Sequence, residues 1–170
     1  MKEKVIIYKV FFTLSLFLIL FFNYHYSYAT SPFDKYGELA RRNPTSKYAA
    51  GLGQNPRYNV TDEDRIFIKN NPSTIFSGKL AQNSNYIVTD EDKLIAQKNP
   101  DSDFAEGLAL NPTYLIRSID KEFARNNPNT RYAKALVSNP HYIIETVDRD
   151  FVRKNLDLEI TELLSKNSSF

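Results

Sequence analysis

The sequence predicts an all-α protein, an α-solenoid of five 28-residue two-helix repeats, from three observations. Residues of the same type recur at intervals of 28 positions through most of the chain. Asparagine, often followed by proline, divides each interval into two short segments. Within these segments, apolar residues recur at the spacing of one helix face. A fixed period of about 20 to 50 residues is the signature of repeat architectures, in which neighbouring units share one core.

Four columns of recurring residues define the units, which we predict to span 31–58, 59–86, 87–114, 115–142 and 143–170. The first asparagine column is Asn43, Asn71, Asn99, Asn127 and Asn155. The second asparagine column is Asn55, Asn83, Asn111, Asn139 and Asn167. The leucine column is Leu52, Leu80, Leu108, Leu136 and Leu164. The aromatic column is Tyr58, Tyr86, Tyr114, Tyr142 and Phe170.

These columns are predicted to be structural positions. Asparagine ends a helix either by adopting the left-handed conformation or by binding free carbonyl groups with its amide. In stacked units the amides would line up and hydrogen-bond between units. The leucines and tyrosines are expected to lie in the shared core.

Residues 1–29 have the pattern of a signal peptide. Lys2, Lys4 and Lys9 precede the largely apolar run Val10–Phe22, and Ser27-Tyr28-Ala29 has small residues at its first and third positions. The apolar run is shorter than the about 20 residues that a membrane-spanning helix needs. The sequence therefore predicts a secreted, periplasmic or extracellular protein with a repeat domain over 30–170. A retained signal anchor is the alternative.

Within a unit, the second helix is the more clearly defined. Ser, Thr, Asp or Asn follows the first asparagine column, and these residues favour helix N-caps. Apolar residues follow at positions i, i+1, i+4 and i+5, as at Tyr132, Ala133, Leu136 and Val137. This spacing forms one stripe along a helix, which ends at the second asparagine column.

The start of the first helix has several interpretations. The Thr-Asp-Glu-Asp runs at 61–64 and 89–92 resemble capping boxes with aspartate in place of glutamate, which predicts starts near 62 and 90. In the later units, apolar residues at helical spacing reach back towards the proline, which predicts starts near 113 and 141. A short strand at 58–60 and 86–88 is the competing interpretation.

Seven basic residues on the first helices form the predicted partner-binding surface, because stacked units would place them in register. They are Arg65, Lys69, Lys93, Lys121, Arg125, Arg149 and Arg153. The competing interpretation is a solvated face whose cations suit helix C-termini. The aspartate one residue before four of these bases would then neutralise the face locally.

Composition excludes several classes of function. The chain has no cysteine, which excludes thiol chemistry, disulfides and cysteine-ligated metals, and His141 is the single histidine after residue 29. The formal charge of +2 belongs to residues 1–29, so the remainder is neutral and unsuited to polyanions. The Thr-Asp-Glu-Asp runs lack the glycine and distal glutamate of an EF-hand loop. We therefore expect that the protein is not an enzyme and that it has no cofactor, no metal site and no nucleic-acid partner.

Residues 123–130, Phe-Ala-Arg-Asn-Asn-Pro-Asn-Thr, and 135–140, Ala-Leu-Val-Ser-Asn-Pro, resemble the leucine-rich repeat variant family. That family carries a similar Val-Arg-x-x-Val-Ala-x-Asn-Pro-x-Thr run and a leucine-centred second helix, and it is similar to HEAT-type solenoids. The period of 28 is longer than the family unit. The family's iron–sulphur cluster has no cysteine ligands here. The resemblance implies a binding scaffold with no catalytic residues.

Together these features predict an exported, non-catalytic scaffold for protein–protein interaction. Its partner is a protein that the sequence does not identify, and no membrane contact is expected after signal cleavage. One alternative is a membrane-anchored surface repeat protein. The other is an exported hydrolase that uses two carboxylates for acid–base chemistry.

Overall fold

A computed structural model of the chain describes residues 32–167 and 169. Almost all described residues belong to one compact unit, Tyr36–Phe170. The predicted signal peptide and Phe170 lie outside the described residues. None of the helices in the described range is long and apolar enough to cross a membrane.

The described residues form ten helices and no strand, which confirms the all-α class. The helices are α1 Pro32–Arg42, α2 Lys47–Gln54, α3 Asp62–Asn70, α4 Ile75–Gln82, α5 Asp90–Lys98, α6 Asp103–Ala109, α7 Ser118–Asn126, α8 Arg131–Ser138, α9 Thr146–Lys154 and α10 Glu159–Ser165.

Helices α3, α5, α7 and α9 begin at equivalent points of the 28-residue period. The expected starts near 113 and 141 are therefore wrong, and so is the strand at 58–60 and 86–88. An aspartate at the third helical position sets each start. Asp120 accepts the backbone N–H of Arg117 at 2.8 Å, as Asp64 accepts that of Thr61 at 3.0 Å. The aspartate therefore fixes the helix start whether or not threonine precedes it.

The even-numbered helices pack on one another in chain order, from α2 on α4 to α8 on α10. Each odd-numbered helix from α3 onward packs on the even-numbered helix that follows it. Leu80, Leu108, Leu136 and Leu164 are buried in this packing, and Leu52 is partly buried. The four tyrosines of the aromatic column, Tyr58, Tyr86, Tyr114 and Tyr142, are also buried.

Backbone hydrogen bonds join successive helix pairs, where a pair is an odd-numbered helix and the even-numbered helix that follows it. The N–H of Phe104 in α6 donates to the carbonyl oxygen of Pro72 at 2.9 Å, and the N–H of Tyr132 in α8 donates to that of Pro100 at 2.9 Å. These prolines follow asparagines of the first column. The turn after an odd-numbered helix is therefore hydrogen-bonded to the first turn of the even-numbered helix in the next pair.

Glycine allows unusually close helix packing at α4 and α6. A Cβ atom placed on Gly107 would lie 2.1 Å from the carbonyl oxygen of Gly78. A Cβ atom on Gly78 would lie 2.7 Å from the carbonyl oxygen of Asp103. The two backbones therefore approach more closely than any larger residue at these positions would allow.

Candidate functional site

The first asparagine column closes the odd-numbered helices. The Nδ2 atoms of Asn71, Asn99 and Asn127 each donate to the carbonyl oxygen four residues earlier, at 3.0 Å in all three cases. Asn43 and Asn155 make the same bond at 3.3 and 2.8 Å. No described residue has a positive φ, so these asparagines act through their amides and not through the left-handed conformation.

The second asparagine column joins each helix pair to the preceding one. Nδ2 of Asn111 donates to the carbonyl oxygens of Ala81 at 2.6 Å and Asn83 at 2.9 Å. Its Oδ1 accepts the N–H of Thr113 at 2.8 Å. Asn83, Asn139 and Asn167 also donate to carbonyl oxygens of the preceding pair. The side-chain amides of these asparagines therefore form their hydrogen bonds with the backbone of the chain itself.

Each tyrosine of the aromatic column donates its hydroxyl hydrogen to the aspartate six residues later. The Tyr-to-Asp oxygen distances are 2.8 Å for Tyr58–Asp64, 2.8 Å for Tyr86–Asp92, 2.9 Å for Tyr114–Asp120 and 3.1 Å for Tyr142–Asp148. These four aspartates are at most 4% exposed. The interpretation in which these aspartates neutralise a solvated face does not account for their burial, although their recurrence with tyrosine is visible in the sequence.

A cation from the preceding helix pair completes each buried aspartate site. Lys93 Nζ lies 3.0 Å from the Asp120 carboxylate, 2.7 Å from the Leu115 carbonyl oxygen and 4.2 Å from the centre of the Tyr114 ring. Arg41 lies 2.5 Å from the Asp64 carboxylate. The predicted set omitted Arg41, although it stands 28 positions before Lys69 in the same column.

The seven predicted partner-binding bases occupy different environments. Lys93 and Lys121 are buried, and Arg65 and Arg125 are half-buried. Lys69, Arg149 and Arg153 are exposed. Most of these cations bind acids of the chain itself: Arg65 with Asp92, Lys69 with Glu91, Lys93 with Asp120, Lys121 with Glu145, Arg125 with Asp148 and Arg153 with Asp150. The set therefore does not form one exposed surface.

This internal network is fully satisfied. Within the part of the chain that the structure describes, every buried side-chain nitrogen and oxygen atom has a hydrogen-bond partner. Burial is the main cause that raises the pKa of Tyr86, Tyr114, Tyr132 and Tyr142 well above the ordinary tyrosine value. Neighbouring groups add to this effect, among them the Asp92 carboxylate beside Tyr86. The network holds helices together and keeps its phenols neutral.

Alkaline conditions are therefore expected to unfold the protein. In the unfolded chain tyrosine ionises near pH 10, whereas the folded chain keeps these four phenols protonated. The folded state then binds more protons, so stability falls as pH rises above about 10, by up to about 1.4 kcal/mol per pH unit for each tyrosine. Melting temperatures between pH 7 and pH 11.5, recorded beside tyrosine absorbance at 295 nm, measure this. A melting temperature that stays constant above pH 10 would contradict it.

Exposed aliphatic side chains recur at several repeat positions, among them Ile66 and Leu94 at one position, and we call two other such positions the aliphatic columns. Their members are Ile87, Leu115 and Ile143 at one position, and Ile119 and Val147 at the other. These side chains are 54% to 73% exposed. Ile119 is exposed, although its spacing from Phe123 is that of one helix face. The carbonyl oxygens of Leu115 and Ile143 accept hydrogen bonds from lysines of the preceding helix pair. The side chains of Leu115 and Ile143 point outward.

Two adjoining clefts lie beside α4 and share Lys79 and Gln82. One has a volume of about 410 Å³ and includes Asp103, Glu106 and Arg131 in its lining. The other, of about 440 Å³, extends to the turns that follow α2, α4 and α6. Arg131 lies 2.9 Å from the Asp103 carboxylate and also binds Glu106, and the bond to Asp103 raises the pKa of Arg131.

Lys79 contrasts with Arg131. It is half-buried, and its ammonium group makes no hydrogen bond or ion pair with any described residue. Among residues 32–167 and 169, no group of three or more metal-ligating His, Cys, Asp or Glu side chains occurs. His141 is exposed, with Nε2 3.2 Å from the carbonyl oxygen of Pro112.

Comparisons with protein-family models, with curated proteins and with solved structures find no match. The structure defines an all-helical protein, compatible with a helical repeat fold. Its recurring polar residues mainly join one helix pair to the next.

Proposed function

We propose that this protein is an exported, non-catalytic scaffold that binds another protein. Its proposed architecture is an α-solenoid of five two-helix units over 31–170, similar to leucine-rich repeat variant and HEAT-type repeats. The recurrence of helix starts, asparagine bonds and tyrosine–aspartate pairs every 28 residues supports the repeat. The pattern of residues 1–29 supports export.

The aliphatic columns are the observation that carries the proposed binding function. Monomeric soluble proteins rarely expose large contiguous apolar patches, and such patches mark interaction surfaces. Leu115 and Ile143 are 72% and 66% exposed, and each occupies the same position in successive units. A partner that covers them would gain about 25 cal/mol for each Å² of apolar area removed from water.

This assignment moves the expected contact surface away from the basic residues. Lys93 and Lys121 place their charges between helix pairs, where they bind backbone carbonyls and carboxylates of the following pair. Pulling Lys93 out to meet a partner would leave the buried Asp120 carboxylate unpaired, which is costly. The aliphatic side chains carry no charge, so a partner can cover them without breaking an ion pair.

Site-specific photo-crosslinking tests the proposal. The full chain, produced in the organism that encodes it, would carry a benzophenone amino acid at Leu115. We expect one discrete adduct with a protein, and at least fivefold less of it when Ile143→Asp is added. The melting temperature should change little, because Ile143 is an exposed side chain.

The matched control carries the same crosslinker at Leu156, which is 74% exposed but lies outside the aliphatic columns. No adduct at Leu115, or equal adducts at Leu115 and Leu156, would exclude the aliphatic columns as the binding surface.

A further inference from the structure

We propose that copies of this chain associate end to end, with α10 of one copy packed on α2 of the next. Two surfaces would meet in this contact. The α10 face is formed by Glu162, Ser165 and Asn167, and the α2 face is formed by Lys47, Gly51 and Asn55. The inference goes beyond the proposed scaffold function, since none of these six residues belongs to the aliphatic columns.

The contacts between even-numbered helices within the chain provide the template. Each even-numbered helix from α2 to α8 packs on the next one. Among residues 32–167 and 169, α2 is the first and α10 the last helix of this series. Each of the two therefore has one neighbour in the series, whereas α4, α6 and α8 have two.

Ion pairs join successive even-numbered helices at one pair of equivalent positions. Glu106 of α6 binds Arg131 of α8, and Lys134 of α8 binds Glu159 of α10. In both cases the partners are 25 residues apart, and the order of the charges reverses from one junction to the next. A further junction of the same kind would therefore have an acid on α10 and a base on the helix that follows it.

Glu162 and Lys47 have the charges that this further junction requires. Glu162 stands 28 positions after Lys134, and Lys47 occupies the position in α2 that Glu159 occupies in α10. Lys47 is exposed and makes no ion pair or hydrogen bond with any described residue. Glu162 is 63% exposed and pairs with Lys166 of its own helix. An exposed pair of this kind contributes little, so it leaves Glu162 able to bind a second partner.

Small residues leave room for the contact. Gly51 is equivalent to Gly107, whose missing side chain lets α6 approach the backbone of Gly78 in α4. A Cβ atom on Gly51, however, would meet nothing within 4 Å, so no described contact requires glycine there. Glycine inside a helix is less stable than alanine. In the proposed contact Gly51 faces the backbone of α10, beside the small and exposed Ser165.

An asparagine amide on the α2 face lacks the partners that its equivalents have. Nδ2 of Asn83 donates to the carbonyl oxygens of Gly53 and Asn55 in the preceding helix pair, and two later members of the second asparagine column repeat this pattern. Nδ2 of Asn55 donates to no described residue. The equivalent acceptors on the α10 face are the carbonyl oxygens of Ser165 and Asn167. Charge, size and hydrogen bonding therefore all match when the two faces of this chain meet, which selects a second copy as the partner.

Sedimentation velocity of the full chain, purified from the organism that encodes it, tests the inference. We expect the sedimentation coefficient to rise with concentration past the value of a dimer, because a contact between two different faces leaves one of each face free. Lys47→Glu or Glu162→Lys should raise the concentration required at least tenfold, since like charges would meet. The chain that carries both substitutions restores an opposite pair, so it should associate within about threefold of the unaltered protein.

Lys98→Glu is the matched control, because Lys98 is an exposed lysine of α5 that lies on neither face, and it should leave association unchanged. A thermal melt verifies that each variant folds. A sedimentation coefficient that stays at the monomer or dimer value up to about 500 μM would overturn the inference, as would a doubly substituted chain that does not regain association. An adduct between two copies has twice the mass of the chain and is therefore counted separately from the Leu115 adduct. The Leu115 adduct would persist if only end-to-end association fails.

Discussion

Replacing Asp120 with asparagine is expected to destabilise the folded chain by about 3 to 5 kcal/mol, the cost of breaking a buried ion pair. The Asp120 carboxylate is fully buried, and it accepts hydrogen bonds from the Tyr114 hydroxyl, the Arg117 N–H and the Lys93 ammonium. An asparagine of the same shape carries no charge, so Lys93 would stay buried without its counter-ion. Urea unfolding of both chains, monitored by circular dichroism, measures the change in free energy.

Asp90→Asn is the matched control for this substitution. Asp90 pairs with Arg117 at 3.0 Å, but its side chain is 74% exposed, so we expect a loss below about 1 kcal/mol. Adding Lys93→Met to Asp120→Asn should restore part of the stability, because it removes the unpaired charge. A loss below about 1 kcal/mol for Asp120→Asn would mean that the buried pairs contribute little.

Gly107→Ala is expected to cost about 3 kcal/mol or more, at the upper end of the range for overpacked sites. The added methyl group would lie 2.1 Å from the carbonyl oxygen of Gly78, and a backbone atom has little freedom to move away. Helices α4 and α6 would have to separate, and the interface between them would lose packing along its length. The melting temperature of the variant measures the effect.

Gly51→Ala provides the opposite expectation with the same chemical change. Gly51 is exposed within α2, and a Cβ atom there would have no atom within 4 Å. Alanine in a helix is more stable than glycine by about 0.5 to 1 kcal/mol, so this variant should melt higher. Equal melting temperatures for the two alanine variants would contradict the close contact between α4 and α6.

The starts of α3, α5, α7 and α9 could all have been predicted from the recurring aspartate at their third helical position. Threonine precedes the aspartate in two Thr-Asp-Glu-Asp runs, and those starts agree with the structure. In the later helix pairs Arg117 and Glu145 replace the threonine, but Asp120 and Asp148 keep their positions and their bonds. The aspartate carboxylate, which binds the N-cap N–H, was therefore the more informative signal than the threonine.

Whether each basic side chain faces solvent or the next helix pair could not have been predicted in the same way. A period of 28 identifies equivalent positions, but it does not say whether a helix face meets solvent or the next helix pair. Lys93 and Asp120 are 27 residues apart in sequence, and their contact exists only when helix pairs pack. Ile119 shows the converse, since its spacing from Phe123 suits one helix face and yet its side chain is exposed.

The sequence alone determined the helical class, the 28-residue period and the residues that end each odd-numbered helix. Local chemistry suffices for these, because caps and helix breakers act within a few residues. The tertiary structure decided which charges are buried, which glycines permit close packing and which lysine lines two clefts. These properties arise where helix pairs meet, so they depend on distances between residues that are far apart in the chain.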